Sequence, residues 1–284
     1  MKIFEEFDLT NYNSYKIHSK CKKAYFPDSE QDIVDLFSKK QDYILLGTGH
    51  NVILSKSYYD REFIIFNGNF SRLGKSINGL LEAESGVTMY DLSLFALDHG
   101  LTGLEIFYDI PSSLGGAIVM NAGASGEEIK DVLVKVRYLD LVDLQVKEIL
   151  KEEMDFQYRN SFFQKNTNKI VIKAWLKLKV GDYEKIKTKM ELIRAQRWQK
   201  QPRDFPNAGS VFKRPKGYYV GSLIDELKLK GLTRGGAKVS EKHGGFIINF
   251  NNASGNDIIE LISEIKGRVL EKFGVNLEVE QRIV

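Results

Sequence analysis

The sequence of 284 residues contains few of the side chains that disulfides and transition-metal sites require. Its one cysteine, Cys21, excludes a disulfide within the chain. Its four histidines are scattered and do not show the spacing of metal ligands. Disulfide-stapled scaffolds and metal centres built from Cys and His are therefore excluded.

Long hydrophobic runs are also absent. No apolar segment approaches the roughly 20 residues that cross a bilayer. The first residues lack the basic stretch followed by an apolar stretch that a secretory signal needs. We therefore expect a cytoplasmic protein with no membrane partner.

Neither charge sign dominates. The chain has 41 basic and 38 acidic residues, a net charge of +3, and no basic run, which argues against a nucleic-acid partner. The hydrophobic fraction of 43% and the charged fraction of 28% are typical of a globular protein. The length allows one large domain or two ordinary ones.

Small residues are concentrated in two places. Ten of the seventeen residues from Ile110 to Gly126 are Gly, Ala or Ser, and a glycine loop at Leu46 to Asn51 follows a short apolar strand. Such loops expose backbone N–H groups that hold phosphates. Either loop alone could equally be a packed tight turn. Together they favour a dinucleotide, although neither matches the G-x-G-x-x-G fingerprint of an ordinary Rossmann site.

The hydrophobic pattern predicts a mixed α/β chain. Helical periodicity predicts these helices: 29–40, 88–99, 182–199, 219–227, and one from near Ser254 to Gly274 with Asp257 in a capping box. Short or alternating apolar runs predict these strands: 43–46, 63–66, 80–83, 132–139, 144–149, 169–180, 245–250 and 277–284. From Ile172 on, the strand 169–180 alternates and is expected to have one solvated face.

Three further motifs carry polar groups suited to an anionic substrate. Arg159 in Tyr158-Arg159-Asn160-Ser161 suits bidentate capture of a carboxylate, but an isolated Arg is more often a surface salt-bridge residue. Ser210, in a turn followed by Lys213 and Arg214, lacks a hydrolase context and is either a proton donor or a turn serine. His243 is interpreted as a structural histidine.

Taken in order, these segments resemble the UDP-N-acetylenolpyruvoylglucosamine reductase (UDP-N-acetylmuramate dehydrogenase, MurB) family. The resemblance covers almost the whole chain and rests on the motifs LGTGHN, IPSSLGGAIVMNAGASG, YRNS, KQP…NAGSVFKRP, LKG…GGAKVSEKH and LEVEQR. The short connection after residue 180 is similar to the branch of the family that lacks an extra loop.

The resemblance implies an α+β fold: a vanillyl-alcohol-oxidase or PCMH-type FAD-binding domain followed by a C-terminal α+β substrate-binding domain. We expect the FAD-binding domain over residues 1–183, as two α/β subdomains of about 1–70 and 71–183, and the second domain over 184–284. The implied activity is NADPH-dependent reduction of the enolpyruvyl ether of UDP-N-acetylglucosamine to UDP-N-acetylmuramate. This flavoprotein oxidoreductase reaction belongs to peptidoglycan precursor synthesis and cell-wall biogenesis.

The resemblance also assigns site residues. It implies three catalytic residues: Arg159 for the substrate carboxylate, Ser210 as proton donor and Glu280. It implies these FAD-binding residues: Gly47, Thr48, Gly49, His50, Asn51, Val52, Pro111, Ser112, Ser113, Gly115, Gly116, Asn121 and Gly123. It implies these substrate-binding residues: Tyr158, Lys200, Lys213 and Arg214. No metal is implied.

Some positions depart from the family pattern. His18-Ser19 replaces a common Gly-Gly, and Tyr108-Asp109 and Ser112 add bulk or charge near the expected cofactor. His50 replaces a common serine. We expect non-covalent FAD; the alternative is a covalent histidine–flavin bond of the kind that some enzymes of this fold carry.

Two other functions fit parts of the pattern. One is an FAD-dependent oxidase on the same fold, which the proton donor Ser210 argues against because an alcohol oxidase forms no carbanion to protonate. The other is a non-catalytic nucleotide-sugar binding protein. In either case the partner is a small molecule, and a monomer or weak oligomer is expected.

Overall fold

The computed structural model describes residues 1–284, which fold into a mixed arrangement of helices and short strands. Four 3-10 helices accompany the α-helices. The seven α-helices are α1 Glu30–Ser38, α2 Met89–Asp98, α3 Leu114–Met120, α4 Phe162–Lys165, α5 Tyr183–Lys200, α6 Val220–Glu226 and α7 Gly255–Phe273. None of them is both long and apolar enough to span a membrane.

The strands are mostly short and form six sheets. In chain order they are β1 Lys2–Asp8, β2 Lys20–Phe26, β3 Tyr43–Leu46, β4 Val52–Ile53, β5 Tyr58–Ile65, β6 Leu73–Lys75, β7 Leu81–Glu84, β8 Leu101–Thr102, β9 Gly123–Ala124, β10 Glu127–Glu128, β11 Leu133–Asp140, β12 Gln145–Leu150, β13 Lys169–Leu176, β14 Lys179–Val180, β15 Thr233–Arg234, β16 Ala237–Val239, β17 Ile247–Asn249 and β18 Arg282–Ile283. The two largest sheets have the orders β1-β2-β5-β3 and β12-β11-β13-β7-β6.

The chain divides into two compact units. The first comprises Met1–Ile3, Tyr25–Thr48 and Phe63–Gln196, and the second comprises Phe4–Ala24, Gly49–Glu62 and Arg197–Val284. The division falls inside α5, whereas the sequence places a domain limit at 183/184. The domain limits read from the sequence stay a prediction.

The five-stranded sheet of the first unit has β13 near its centre. Val171 contributes to the apolar core that contains α2 and α3, while Ile170 and Ile172 contribute to a second core with α1. From Ile172 on, buried and partly exposed residues alternate as predicted. The start of the strand is buried on both faces, because it lies between two cores. The predicted strand 169–180 also breaks before β14, which pairs with β8 instead.

The small-residue stretch contains a helix that the sequence did not predict. Ser113 is the N-cap of α3, and its Oγ accepts from the Gly116 N–H at 3.3 Å. Asn121 ends the helix in the left-handed conformation, at φ 44°. Asn tolerates that conformation better than most residues. The stretch is therefore a cap, a short helix and a left-handed stop rather than one open loop.

The second unit contains the sheet β15-β16-β17 and α7. The predicted capping box is present: Ser254 Oγ accepts from the Asp257 N–H, and Asp257 accepts from the Ser254 N–H. The prediction of a final strand over 277–284 is wrong. Only β18 is regular and pairs in parallel with β4, and Val279 forms an isolated bridge with Phe212. The segment is divided because its two halves pair with different partners.

Candidate active site

The first glycine loop follows β3 directly. A Cβ at Gly47 would lie 2.6 Å from Ser113 Oγ, so a larger residue there would displace that serine. Gly49 has φ +73°, and a Cβ there would lie 2.1 Å from the carbonyl oxygen of Tyr12. Both glycines are therefore required by close packing. The N–H groups of Thr48 and Gly49 donate to no acceptor of the chain, which leaves them available to an anion.

One buried hydroxyl lies beside this loop. Ser14 donates its backbone N–H to Gly49 O at 3.0 Å, and Ser14 Oγ is buried without a hydrogen-bond partner. A buried polar atom without a partner is costly, so it indicates a missing ligand group. The free amides and this hydroxyl fit the phosphate groups of FAD.

The second loop provides fewer free amides. The N–H groups of Leu114 and Gly115 donate to the carbonyls of Val87 and Ser85, at 2.8 and 2.9 Å. Ser85 Oγ itself is buried and has no partner. The loop residues Pro111 and Ser112 remain accessible. This region thus offers backbone surface and a buried hydroxyl to FAD rather than a row of free N–H groups.

Arg159 sits at a strained turn in the first unit. Its φ is 51°, a conformation that residues other than glycine seldom adopt. Its guanidinium donates to the carbonyls of Asn121, at 3.2 Å, and Gly123, at 2.6 Å, and lies 5.0 Å from the ring centre of Tyr158. These two carbonyl acceptors fix the direction of the guanidinium, whose planar fork suits bidentate contact with an anionic group.

The side chain of Asn121 holds the turn that carries Arg159 through two hydrogen bonds. Asn121 is fully buried, and Nδ2 donates to Gln157 O at 2.9 Å and to Glu128 Oε2 at 3.0 Å. Gln157 and Asn160 exchange both backbone hydrogen bonds across the turn. Sequence reasoning placed Asn121 among the FAD-binding residues and missed this structural bond.

The segments that carry Ser210 and Glu280 pair through their backbones in the second unit. Phe212 forms an antiparallel bridge with Val279, and the Glu280 N–H donates to Val211 O at 2.8 Å. Ser210 directly precedes this paired segment and is exposed. Glu280 is thus opposite Val211, the residue after Ser210, so the backbones of the two segments run side by side.

Asn51, the last residue of the first loop, holds the segment that carries Glu280. Asn51 Nδ2 donates to Glu280 O at 3.1 Å, and Asn51 O accepts from the Arg282 N–H at 2.9 Å. Val52 is opposite Arg282 in the β4–β18 pair. Asn51 and Val52, both predicted to bind FAD, therefore also hold the segment that carries Glu280.

The predicted substrate-binding cations differ in their contacts. Lys213 forms a salt bridge with Glu278, Nζ to Oε1 at 2.6 Å, and its side chain is 17% exposed. The Arg214 guanidinium lies 3.9 Å from the ring centre of Tyr219. Lys200 is the exposed last residue of α5. Lys213 is thus already paired, while Arg214 and Lys200 lie at the surface.

The remaining singled-out residues have structural contacts. His243 Nδ1 accepts from the Gly245 N–H at 3.0 Å, and burial lowers the pKa of His243. Tyr108 stacks on Tyr90 with ring centres 5.2 Å apart. His18 lines a cavity of about 280 Å³ with Lys56 and the start of α7. No group of three or more His, Cys, Asp or Glu residues forms a potential metal site.

Two family models match the chain. Residues 23–145 match a FAD binding domain, and residues 201–284 match the C-terminal domain of UDP-N-acetylenolpyruvoylglucosamine reductase. The chain is 38% identical over 282 residues to the reductase of that name from Francisella tularensis, covering 99% of both chains. The chain belongs to the UDP-N-acetylenolpyruvoylglucosamine reductase family.

Other members of the reductase family agree in length and fold. The protein of Caldanaerobacter subterraneus is 41% identical over 292 residues, covering 100% of this chain and 94% of its own. The crystal structure of UDP-N-acetylenolpyruvylglucosamine reductase from Thermus caldophilus aligns with a TM-score of 0.80 at 28% identity, covering 99% and 98% of the two chains.

Several predictions from the sequence are confirmed. The reductase family, the FAD-binding fold followed by a distinct C-terminal domain, the FAD cofactor and the oxidoreductase class all follow from these matches. The individual site residues and the domain limits stay predictions. Sequence reasoning missed Ser14 and Gln281, whose polar side chains gave no signal of their own among ordinary loop residues.

Proposed function

We propose that this protein reduces the enolpyruvyl ether of UDP-N-acetylglucosamine to UDP-N-acetylmuramate with NADPH. The observation that carries the proposal is the pairing that joins the Ser210 turn to the Glu280 segment. This backbone pairing supports a shared role for the two segments in a chain that belongs to the reductase family. FAD, when bound, supplies the redox chemistry between NADPH and the vinyl ether.

Arg159 is suited to the substrate carboxylate. Reduction at the terminal vinyl carbon leaves negative charge on the alpha carbon and its carboxylate. The carbonyl oxygens of Asn121 and Gly123 hold the Arg159 guanidinium in a fixed orientation. A preorganised cation of this kind stabilises charge that develops during the reaction.

Ser210 is suited to deliver a proton to the alpha carbon. It is exposed at the end of a buried turn, and the neighbouring Glu280 segment is held by Asn51 and Val211. Proton transfer requires the donor to be held within hydrogen-bond reach of the reacting atom. We assign Glu280 to the substrate carboxylate region, and Tyr158, Lys200, Lys213 and Arg214 to binding of the UDP-sugar.

We also propose the partners, the cellular location and the oligomeric state of the enzyme. The substrate is a small anionic molecule, and no role is assigned to nucleic acid or membrane. We place the enzyme in the cytoplasm, as a monomer or weak oligomer. Because the chain belongs to an enzyme family, a non-catalytic binding protein is disfavoured.

An anaerobic titration tests the proposal. NADPH is expected to bleach the flavin absorbance of the holoenzyme, and the enolpyruvyl sugar nucleotide is then expected to restore it in stoichiometric amount. An oxidase would instead be reduced quickly by an alcohol and not by NADPH. A flavin that NADPH bleaches but the sugar nucleotide leaves bleached would contradict the assigned substrate.

We also expect the FAD to be released by acid. His50 lies in a loop in which the free amides of Thr48 and Gly49 and the nearby Ser14 hydroxyl fit a phosphate, so non-covalent contacts suffice to bind the cofactor there. After precipitation with trichloroacetic acid, the yellow colour should remain in the supernatant. His50→Ser, the common family residue, is the matched control and should release flavin identically. Colour that stays in the pellet of the unaltered protein, but not of His50→Ser, would establish the covalent bond.

A further inference from the structure

Gln281 lies next to Glu280, and the function proposed above gives it no role. Its side chain is 4% exposed. Its Nε2 group faces three successive carbonyl oxygens of the Ser210 turn, at 3.0 Å from Ala208, 3.3 Å from Gly209 and 3.5 Å from Ser210. One amide with two N–H donors therefore lies within hydrogen-bond distance of three successive acceptors of the turn.

Tyr15 fixes the orientation of this amide. Its hydroxyl donates to Gln281 Oε1 at 2.9 Å, so the Nε2 end must face the turn. Tyr15 is fully buried, and burial raises its pKa, which keeps the phenol protonated and able to donate. The hydrogen bond from Tyr15 therefore allows the Gln281 amide only one of its two flipped orientations.

Tyr15 is itself held from two sides. Asn249 Nδ2 donates to Tyr15 O at 2.8 Å. Asn13, two residues before Tyr15, is buried and closes the local turn, with Nδ2 donating to Leu9 O and Ile17 O at 3.0 Å each. The phenol therefore has little freedom to move away from Gln281.

The Ser210 turn depends on such a connection. Gly209 has φ +79°, so this position has the wide conformational freedom of glycine. Within the turn, the Gly209 N–H donates to Asn207 Oδ1 at 3.1 Å, and on its far side the Val211 N–H donates to Gly245 O at 3.0 Å. Gln281 is the side chain that bonds the carbonyl side of the same turn.

We propose that Gln281, oriented by Tyr15, is a positioning residue that holds the Ser210 hydroxyl in its proton-donating place. It acts through the backbone carbonyls of residues 208–210 and does not touch the substrate. The inference rests on the proposed function, since it takes Ser210 as the proton donor.

Two substitutions test it by stopped-flow spectroscopy of the holoenzyme. Gln281→Met keeps the length but removes the hydrogen bonds, and Tyr15→Phe removes one oxygen atom. Each should slow flavin reoxidation by the enolpyruvyl sugar nucleotide, by about 10- to 100-fold for Gln281→Met, because small displacements of a reacting group are costly. Flavin reduction by NADPH should stay unchanged. Gln145→Met, at an exposed position of β12, is the matched control and should change neither half-reaction.

A double-mutant cycle separates positioning from a general structural effect. With Ser210→Ala in place, Gln281→Met should add almost no further slowing, because the hydroxyl that it positions is gone. Equal slowing in both backgrounds, or slowing of both half-reactions, would show a structural role and overturn the inference. If Ser210→Ala is slow but neither Gln281→Met nor Tyr15→Phe is, the inference fails while the proposed function stands. If Ser210→Ala itself reoxidises at the normal rate, Ser210 is not the proton donor and the inference fails, while the reductase activity is judged separately by the anaerobic titration.

Discussion

Ser210→Ala is expected to slow reoxidation of the flavin by the enolpyruvyl sugar nucleotide by about 10²- to 10⁴-fold, the usual loss for a missing proton donor. Flavin reduction by NADPH should proceed at the normal rate, because that step has no carbanion to protonate. The fold should be unaffected, since Ser210 is exposed and its side chain forms no hydrogen bond within the chain. Single-turnover stopped-flow absorbance measures the two half-reactions separately.

Ser222→Ala is the matched control for this prediction. Ser222 is exposed on α6 in the same unit, so losing its hydroxyl should alter neither half-reaction. A Ser210→Ala enzyme that reoxidises as fast as the unaltered protein would remove Ser210 from the chemistry.

Arg159→Ala should slow flavin reoxidation by the enolpyruvyl sugar nucleotide by about 10²- to 10³-fold. This loss is comparable to that of removing one preorganised donor to developing charge. Arg159→Lys should recover only part of the rate, because an ammonium keeps the charge but lacks the planar fork. Neither change should slow reduction by NADPH. The measurements are the reoxidation rate and its dependence on sugar nucleotide concentration, which separates weaker binding from slower chemistry.

Two controls test whether a slow rate results only from unfolding of the variant or from loss of FAD. Arg159 also donates to Asn121 O and Gly123 O, so the thermal midpoint and FAD content of each variant must be measured alongside the rates. Arg268→Ala removes an exposed arginine that pairs with Glu264 on α7 and should leave the kinetics intact. If reoxidation by Arg159→Ala is unimpaired, or if NADPH reduction slows equally, Arg159 does not act on the substrate.

The helix and strand pattern was largely readable from local signals. The capping box at Ser254 and the left-handed stop at Gly274 occur where the sequence predicts them, because caps depend on residues within one turn. β3 has the predicted limits, and β11 and β12 lie within one residue of the predicted strands 132–139 and 144–149. Interactions between residues close in the chain decide helix caps and strand limits, so the sequence of one segment is enough to predict them.

The structure of the terminal segment, residues 277–284, could not be predicted from local sequence signals. The pattern Glu278, Glu280 and Arg282 predicts one exposed strand, but residues 278–280 pair with 211–213 while Arg282 pairs with Val52. Partners this distant in the chain leave no mark in a local window, since pairing depends on the tertiary arrangement. The burial of both faces at the start of β13 could not be predicted for the same reason, because it depends on two cores that only the tertiary structure forms.

By itself the sequence determined the family, the FAD-binding class and the identity of candidate groups such as Arg159 and Ser210, because those rest on motifs contiguous in the chain. Only the tertiary structure decided what holds them: carbonyl acceptors around Arg159, and a Tyr15–Gln281 bond beneath Ser210. Residues 15 and 281 are opposite ends of the chain, and a hydrogen bond between them depends on distance and direction in space, which residue type does not encode.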